Sequence, residues 1–141
     1  LGEPERNCYK YSAIHGNLLL NTGAAVIWEA LTAGTHGLYD NSNARVLVGT
    51  SSTAEADTQT ALQGSTAFKA MDMGFPNIAG TGNDTVEFQS VFGSGDGNLA
   101  WNEFGVDNGS GEAVLLNRKV SPQGTKAMGQ TWTIKISIQA V

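Results

Sequence analysis

Thr131-Trp132-Thr133-Ile134-Lys135-Ile136-Ser137-Ile138 sets Trp132, Ile134, Ile136 and Ile138 on one side of an extended chain and Thr131, Thr133, Lys135 and Ser137 on the other. Period-two alternation of this kind is what a strand needs when one face meets a core and the other meets water. Burying the four large side chains contributes on the order of 6 to 12 kcal/mol before conformational entropy is subtracted. The carboxyl end is therefore expected at the centre of the core and intolerant of truncation.

Moving outward, Val86, Phe88 and Phe92 share one face while Thr85, Glu87 and Gln89 share the other, a second half-buried strand. Leu99 to Val106 and Ala113 to Val120 are expected as two more strands, paired antiparallel across Asp107-Asn108-Gly109-Ser110-Gly111, because Asn-Gly tolerates the positive φ of hairpin turns. Within the first of them, alternation places Glu103 on the face of Trp101, and a charge there needs a partner such as Arg118 or Arg45, or an exposed interface. Val46-Leu47-Val48 reads as a short buried strand and Phe68 to Met73 as another, stopped by Gly74 and Pro76. Ser51 to Gln63 is small and polar apart from Leu62 and is expected as a surface excursion, with Asp57 able to cap one helical turn.

One helix is expected, over Asn17 to Ala33, with Leu20, Ala24, Ile27 and Leu31 as its apolar stripe, Thr22 at its start and Gly34 as its terminator. A helix this short is marginal alone in water, so it must pack on something larger. The fold class that results is mainly β: an antiparallel β-sandwich or jelly-roll-like domain with one packed α-helix and an N-terminal arm. The arm is residues 1 to 16, polar and aromatic without a period, and residues 17 to 141 form a single β-rich domain.

Composition agrees. The 141 residues include 18 Gly, above the usual share of about 7%, which suits many tight turns. Eight Lys and Arg against 13 Asp and Glu give a net charge of −5 and no basic run, which argues against nucleic acid or an anionic membrane as partner. No apolar run approaches the roughly 18 to 20 residues that span a bilayer, and no charged start leads into an apolar stretch, so a soluble chain is expected. Cys8 stands alone and can form no intramolecular disulfide.

Candidate chemistry is sparse. His15 and His36 sit beside glycines with no ligand set at metal spacing, and Cys8 lacks a triad signature. Asp72, Glu87 and Glu103 are the carboxylates from which a glycosidase pair could be drawn, yet nothing in their spacing selects two of them. Gly93-Ser94-Gly95-Asp96-Gly97-Asn98 has the flavour of a calcium loop but lacks alternate oxygen ligands and a closing Glu, so a hairpin or wide loop is expected. No phosphate-cradling or dinucleotide motif is present. Asn83-Asp84-Thr85 and Asn108-Gly109-Ser110 match glycosylation acceptors and read as turns. Tyr9, Tyr11, Tyr39, Trp28 and Trp101 could serve sugar binding or packing alike. No catalytic residue, cofactor or metal is expected.

Several strings resemble, in their order and spacing, a family of tailed-bacteriophage virion structural proteins. They are Gly16-Asn17-Leu18-Leu19-Leu20-Asn21, Ala44-Arg45-Val46-Leu47-Val48-Gly49-Thr50-Ser51-Ser52-Thr53-Ala54 and Lys69-Ala70-Met71-Asp72-Met73-Gly74-Phe75-Pro76. Val86-Glu87-Phe88, Ala100-Trp101-Asn102-Glu103-Phe104-Gly105-Val106, Leu115-Leu116-Asn117-Arg118-Lys119-Val120, Gly124-Thr125-Lys126 and the Trp132 strand extend the resemblance over residues 16 to 140. It implies a non-enzymatic structural protein of the virion. An acidic, disulfide-free domain made in the host cytoplasm and assembling on a pre-existing shell is then expected as a capsid decoration (cement) protein on the head surface. There it would bind the major capsid protein and itself, expected as a trimer, and stabilise the shell. The alternative is a tail-fibre-associated or receptor- or glycan-binding module. Arg6, Tyr9, Lys10 and Tyr11, in the arm, are the expected interface residues.

Overall fold

A computed structural model describes residues 9–10, 18–32, 37–109 and 113–140. In chain order the elements are β1 (Tyr9–Lys10), β2 (Leu18–Leu19), α1 (Asn21–Thr32), β3 (Arg45–Gly49), β4 (Thr66–Ala70), β5 (Asn77–Ala79), β6 (Thr85–Phe92), β7 (Glu103–Asp107), β8 (Leu115–Val120) and β9 (Thr131–Gln139). They form a β-sandwich. One sheet has the order β1-β9-β6-β5 and the other β2-β8-β7-β3-β4. All pairs are antiparallel except β1 with β9, which is parallel.

The alternation in β9 and β6 becomes the inner wall of the first sheet. The two strands pair over the full length of β6, Phe88 opposite Ile136 and Phe92 opposite Trp132. Their buried side chains meet Val46 and Val48 from β3 and Phe104 and Val106 from β7. Trp101 fills the middle, edge-on to Phe92, Trp132 and Phe104 at centroid distances of 4.9, 5.0 and 6.0 Å. Its indole N–H donates to the Gly97 carbonyl at 2.9 Å, so the polar tip of this buried ring is satisfied. Ser90, also on the inner face, donates its hydroxyl to the Ala70 carbonyl at 2.8 Å.

Strand β7 corrects the expected face of Glu103. Trp101 and Phe104 share the inter-sheet core, whereas Glu103 points to the outside of the second sheet. The strand begins only at Glu103; before it, Trp101 N–H donates to Gly124 O and Ser121 N–H to Asn102 O. The pairing continues beyond β8 with residues 121–125 in a shifted register, and the alternation is broken at the shift.

The second sheet is covered on its outer face as well. Leu20, Leu62 and Leu115 form a smaller core with Leu47 beneath α1 and the segment from Thr50 to Gly64. That segment lies at the surface, as its polarity suggests, with Leu62 its one buried residue, and it forms a covering layer over the sheet. It carries no helical turn at Asp57; instead the Asp57 carbonyl accepts the Asn21 N–H at 2.9 Å, one of the unpaired donors at the start of α1.

The helix is shorter than the apolar spacing predicts and is rotated. Leu18–Leu19 is extended and pairs with Asn117 and Arg118 on β8, and the first helical bond runs from Ala24 N to Leu20 O. Thr22 lies inside the helix and donates its hydroxyl to the Leu115 carbonyl at 3.1 Å. Leu20, Gly23 and Val26 are buried, while Ile27 is 45% exposed. Gly23 explains the rotation, since a Cβ there would overlap the Leu116 carbonyl oxygen. The missing side chain lets the helix backbone lie against β8. The terminator proposed at Gly34 and the side chain of Leu31 lie outside the described residues. Gly23→Ala is expected to lower the denaturant midpoint, with a net loss of about 1 to 3 kcal/mol from overpacking, although helix propensity alone favours Ala by about 1 kcal/mol.

Candidate functional site

Two clusters that bear charge inside the molecule serve the fold. Glu103 and Arg118 are both fully buried and joined at 2.8 Å. Glu103 also accepts backbone N–H groups from Ser51, Gln63 and Gly64, and Arg118 donates to the Thr53 and Ala54 carbonyls and to Gln59 Oε1. The ion pair holds the 50–64 segment over β7 and β8. Glu55 extends this attachment: its Oε1 accepts the Val120 N–H at 2.7 Å, and that bond, with Lys119 nearby, holds its carboxyl below the usual carboxylate range.

The second cluster occupies the loop with the calcium-like sequence. Lys126 is buried, and its Nζ donates to Gly93 O at 2.6 Å and Asn98 Oδ1 at 2.8 Å. Asp96 Oδ2 accepts Lys69 Nζ at 2.6 Å and the Gly93 N–H at 3.1 Å. The loop oxygens are thus engaged by two ammonium groups of the chain itself. Lys69 and the Gly93 N–H hold the Asp96 carboxyl below its usual range, and Gln139 and Thr85 do the same for Asp84. A carboxyl whose pKa is lower in the folded than the unfolded state adds stability above its unfolded value, and that stability is lost as pH falls through the folded value. Melting temperature is therefore expected to be flat near neutrality and to fall once pH drops below the ordinary carboxylate range. Asp96→Asn should give a shallower fall in the same titration.

The three carboxylates weighed for hydrolysis are not brought together. Glu103 lies on the outer side of one sheet. Glu87 pairs with Lys135 at 3.3 Å on the outer side of the other, so the core separates them. Asp72 closes the edge of β6 beyond β5, accepting the Val91 N–H at 3.0 Å and Gln89 Nε2 at 3.2 Å. Among the described residues no group of three or more His, Cys, Asp or Glu side chains is placed to hold a metal. No helix among them is long and apolar enough to cross a membrane.

Of the expected interface residues, Tyr9 and Lys10 form β1, two residues paired in parallel with Thr131 and Trp132. Arg6 and Tyr11 lie outside the described residues, as do Cys8, His15, His36 and the side chain of Trp28. Trp101 is buried and offers no exposed platform, and the Tyr39 hydroxyl donates to the Val114 carbonyl at 2.8 Å. Burial, with Asp107 nearby, pushes the Tyr39 pKa up to about 12.

The feature that presents itself outward is the β4 edge. β4 ends its sheet, five residues long, with Phe68 57% exposed. The Arg45 guanidinium stands 4.2 Å over the Phe68 ring and is fixed there by Asp107, which accepts from Arg45 Nε at 2.9 Å and Nη2 at 2.6 Å. That two-pronged bond raises the guanidinium pKa above its ordinary value. A pre-set aromatic and arginine pair is the residue chemistry that carries energy at protein interfaces, because little side-chain freedom is left to lose on binding. Among the described residues the other edge strands are shorter: β1 and β2 are two residues each, β5 is three, and Asp72 caps the remainder of β6. Sequence reasoning placed a strand at Phe68 but missed the arginine over it, which depends on the antiparallel pairing of β3 and β4.

Comparison of the chain with protein-family models, with curated proteins and with solved structures finds no match.

Proposed function

We propose that this chain is a non-enzymatic structural protein of a tailed-bacteriophage virion. In this reading it is a decoration (cement) protein that binds the assembled head through the major capsid protein and acts there as a homotrimer. The reading rests on the resemblance over residues 16 to 140 and on one structural observation: the β4 edge presents Phe68 under a clamped Arg45, a ready contact on a domain whose other charges are largely spent on its own fold. An unpaired edge strand is a template for another chain. Weak contacts of this kind, repeated by symmetry, can hold a subunit on a shell.

The test is sedimentation of the purified protein with undecorated mature heads, followed by imaging of the particles. Binding in many copies is the expected result, and Phe68→Asp should abolish it while the domain stays folded, with a loss of about 1 to 2 kcal/mol from the cation–π contact and strand propensity. Removal of residues 1 to 16 should weaken attachment without unfolding the domain; a parallel loss of thermal stability would assign those residues to the fold instead. Failure to bind heads together with binding to host cells or glycans would favour the tail-fibre module.

A further inference from the structure

We propose that Lys126 and Asn98 join in an intramolecular isopeptide bond, a covalent link between the β6–β7 loop and the segment that leads into β9. The two side chains are already engaged: Lys126 Nζ donates to Asn98 Oδ1 at 2.8 Å. An amine hydrogen-bonded to an amide oxygen lies close to the near-attack separation of about 3 to 3.5 Å from the carbonyl carbon. Both partners are held. Lys126 is 1% exposed and tied to Gly93 O, and Asn98 Nδ2 donates to Ser94 O at 3.1 Å. The loop between them is fixed by the Trp101 indole on Gly97 O, and a Cβ at Gly97 would press into the Phe92 ring.

Burial lowers the Lys126 pKa, which raises the fraction of free amine able to attack. Asp96 is held by Lys69 and the Gly93 N–H and acts on Lys126 only through its charge. In the step, the free Lys126 Nζ adds to Asn98 Cγ, forming the Nζ–Cγ bond. One Nζ proton passes to Nδ2, the Cγ–Nδ2 bond breaks, the carbonyl re-forms, and ammonia leaves. One amine and one primary amide become a secondary amide and ammonia, with no change of oxidation state.

Intact-mass measurement of the folded, purified chain tests this. The expected mass is lighter than the sequence by one ammonia. Trypsin should then pass over Lys126 and release one branched peptide joining residues 70–118 to residues 120–135. Lys126→Arg should restore the full mass and cleavage at 126. Full mass with ordinary cleavage at Lys126 after prolonged incubation of the folded protein overturns the proposal. So does an ammonia loss that maps to another asparagine, such as a cyclic imide at Asn108-Gly109. Both readouts on the unaltered chain stand whether or not the variant folds.

Discussion

Glu103→Ala is expected to cost about 3 to 5 kcal/mol of unfolding free energy, because it leaves the Arg118 guanidinium buried without its counter-charge. The loss has two parts. Arg118 keeps its carbonyl acceptors at Thr53 and Ala54, but three backbone N–H groups, from Ser51, Gln63 and Gly64, lose their acceptor. Each donor left dry adds to the cost unless the segment lifts and lets water in. Replacing both charges, as in Glu103→Leu with Arg118→Met, removes the uncompensated ion and should recover a substantial part of the loss, so the double-mutant cycle is expected to show strong coupling. Urea unfolding of the two single variants and the double variant measures this. Additive losses below about 1 kcal/mol would mean that the pair is hydrated and the covering segment is loose.

Trp101→Ala is expected to cost about 3 to 5 kcal/mol, the range for removal of a large aromatic from a packed core. The ring contacts Phe92 and Trp132 from one sheet and Phe104 from the other, so its removal opens a void between the sheets that none of them can fill by a small shift. Trp101→Phe separates volume from hydrogen bonding. It keeps part of the packing and loses the bond to the Gly97 carbonyl, for which about 1 kcal/mol is expected beyond the volume lost. Equilibrium unfolding followed by near-ultraviolet dichroism reads both, since the signal arises from the same aromatic cluster.

What could be read from residues alone follows the physics of one-sided burial. β6 and β9 alternate over eight and nine residues between a core and an exposed face, and that periodicity survives translation into structure intact. β1, β2 and β5 are two or three residues long, too short to carry a period. β7 alternates in sequence, Phe104 and Val106 against Glu103 and Asp107, but both of its sides are covered and its five residues are all buried, so the polar side does not mark solvent. The rotation of α1 depends on one glycine meeting a carbonyl 93 residues away, counting from Gly23 to Leu116, a contact without local trace. The 50–64 segment reads as a surface and is one, but its attachment runs through backbone amides, which every residue possesses, and leaves no trace in the sequence. Glu103 was legible as a charge in need of a partner, and Arg118 is that partner. Its side of the sheet was not, because the shift in register at Trp101 and Asn102 breaks the alternation that would have fixed it.

At the outward site the balance is similar. Phe68 was visible as part of a strand, whereas the hold of Asp107 on Arg45 joins positions 62 apart and follows only from the order β7-β3-β4. The arm residues stood out by their lack of pattern, and of them the structure describes only the short pairing of Tyr9 and Lys10 with β9.

Amide hydrogen exchange at Ser51, Gln63 and Gly64 bears most directly on a three-layered domain in which a polar segment is built into the fold by a buried carboxylate. These N–H groups donate to Glu103 and should exchange only with global unfolding, at the rate of the β7 and β8 amides. Exchange at the pace of an open loop, while β7 and β8 stay protected, would contradict it.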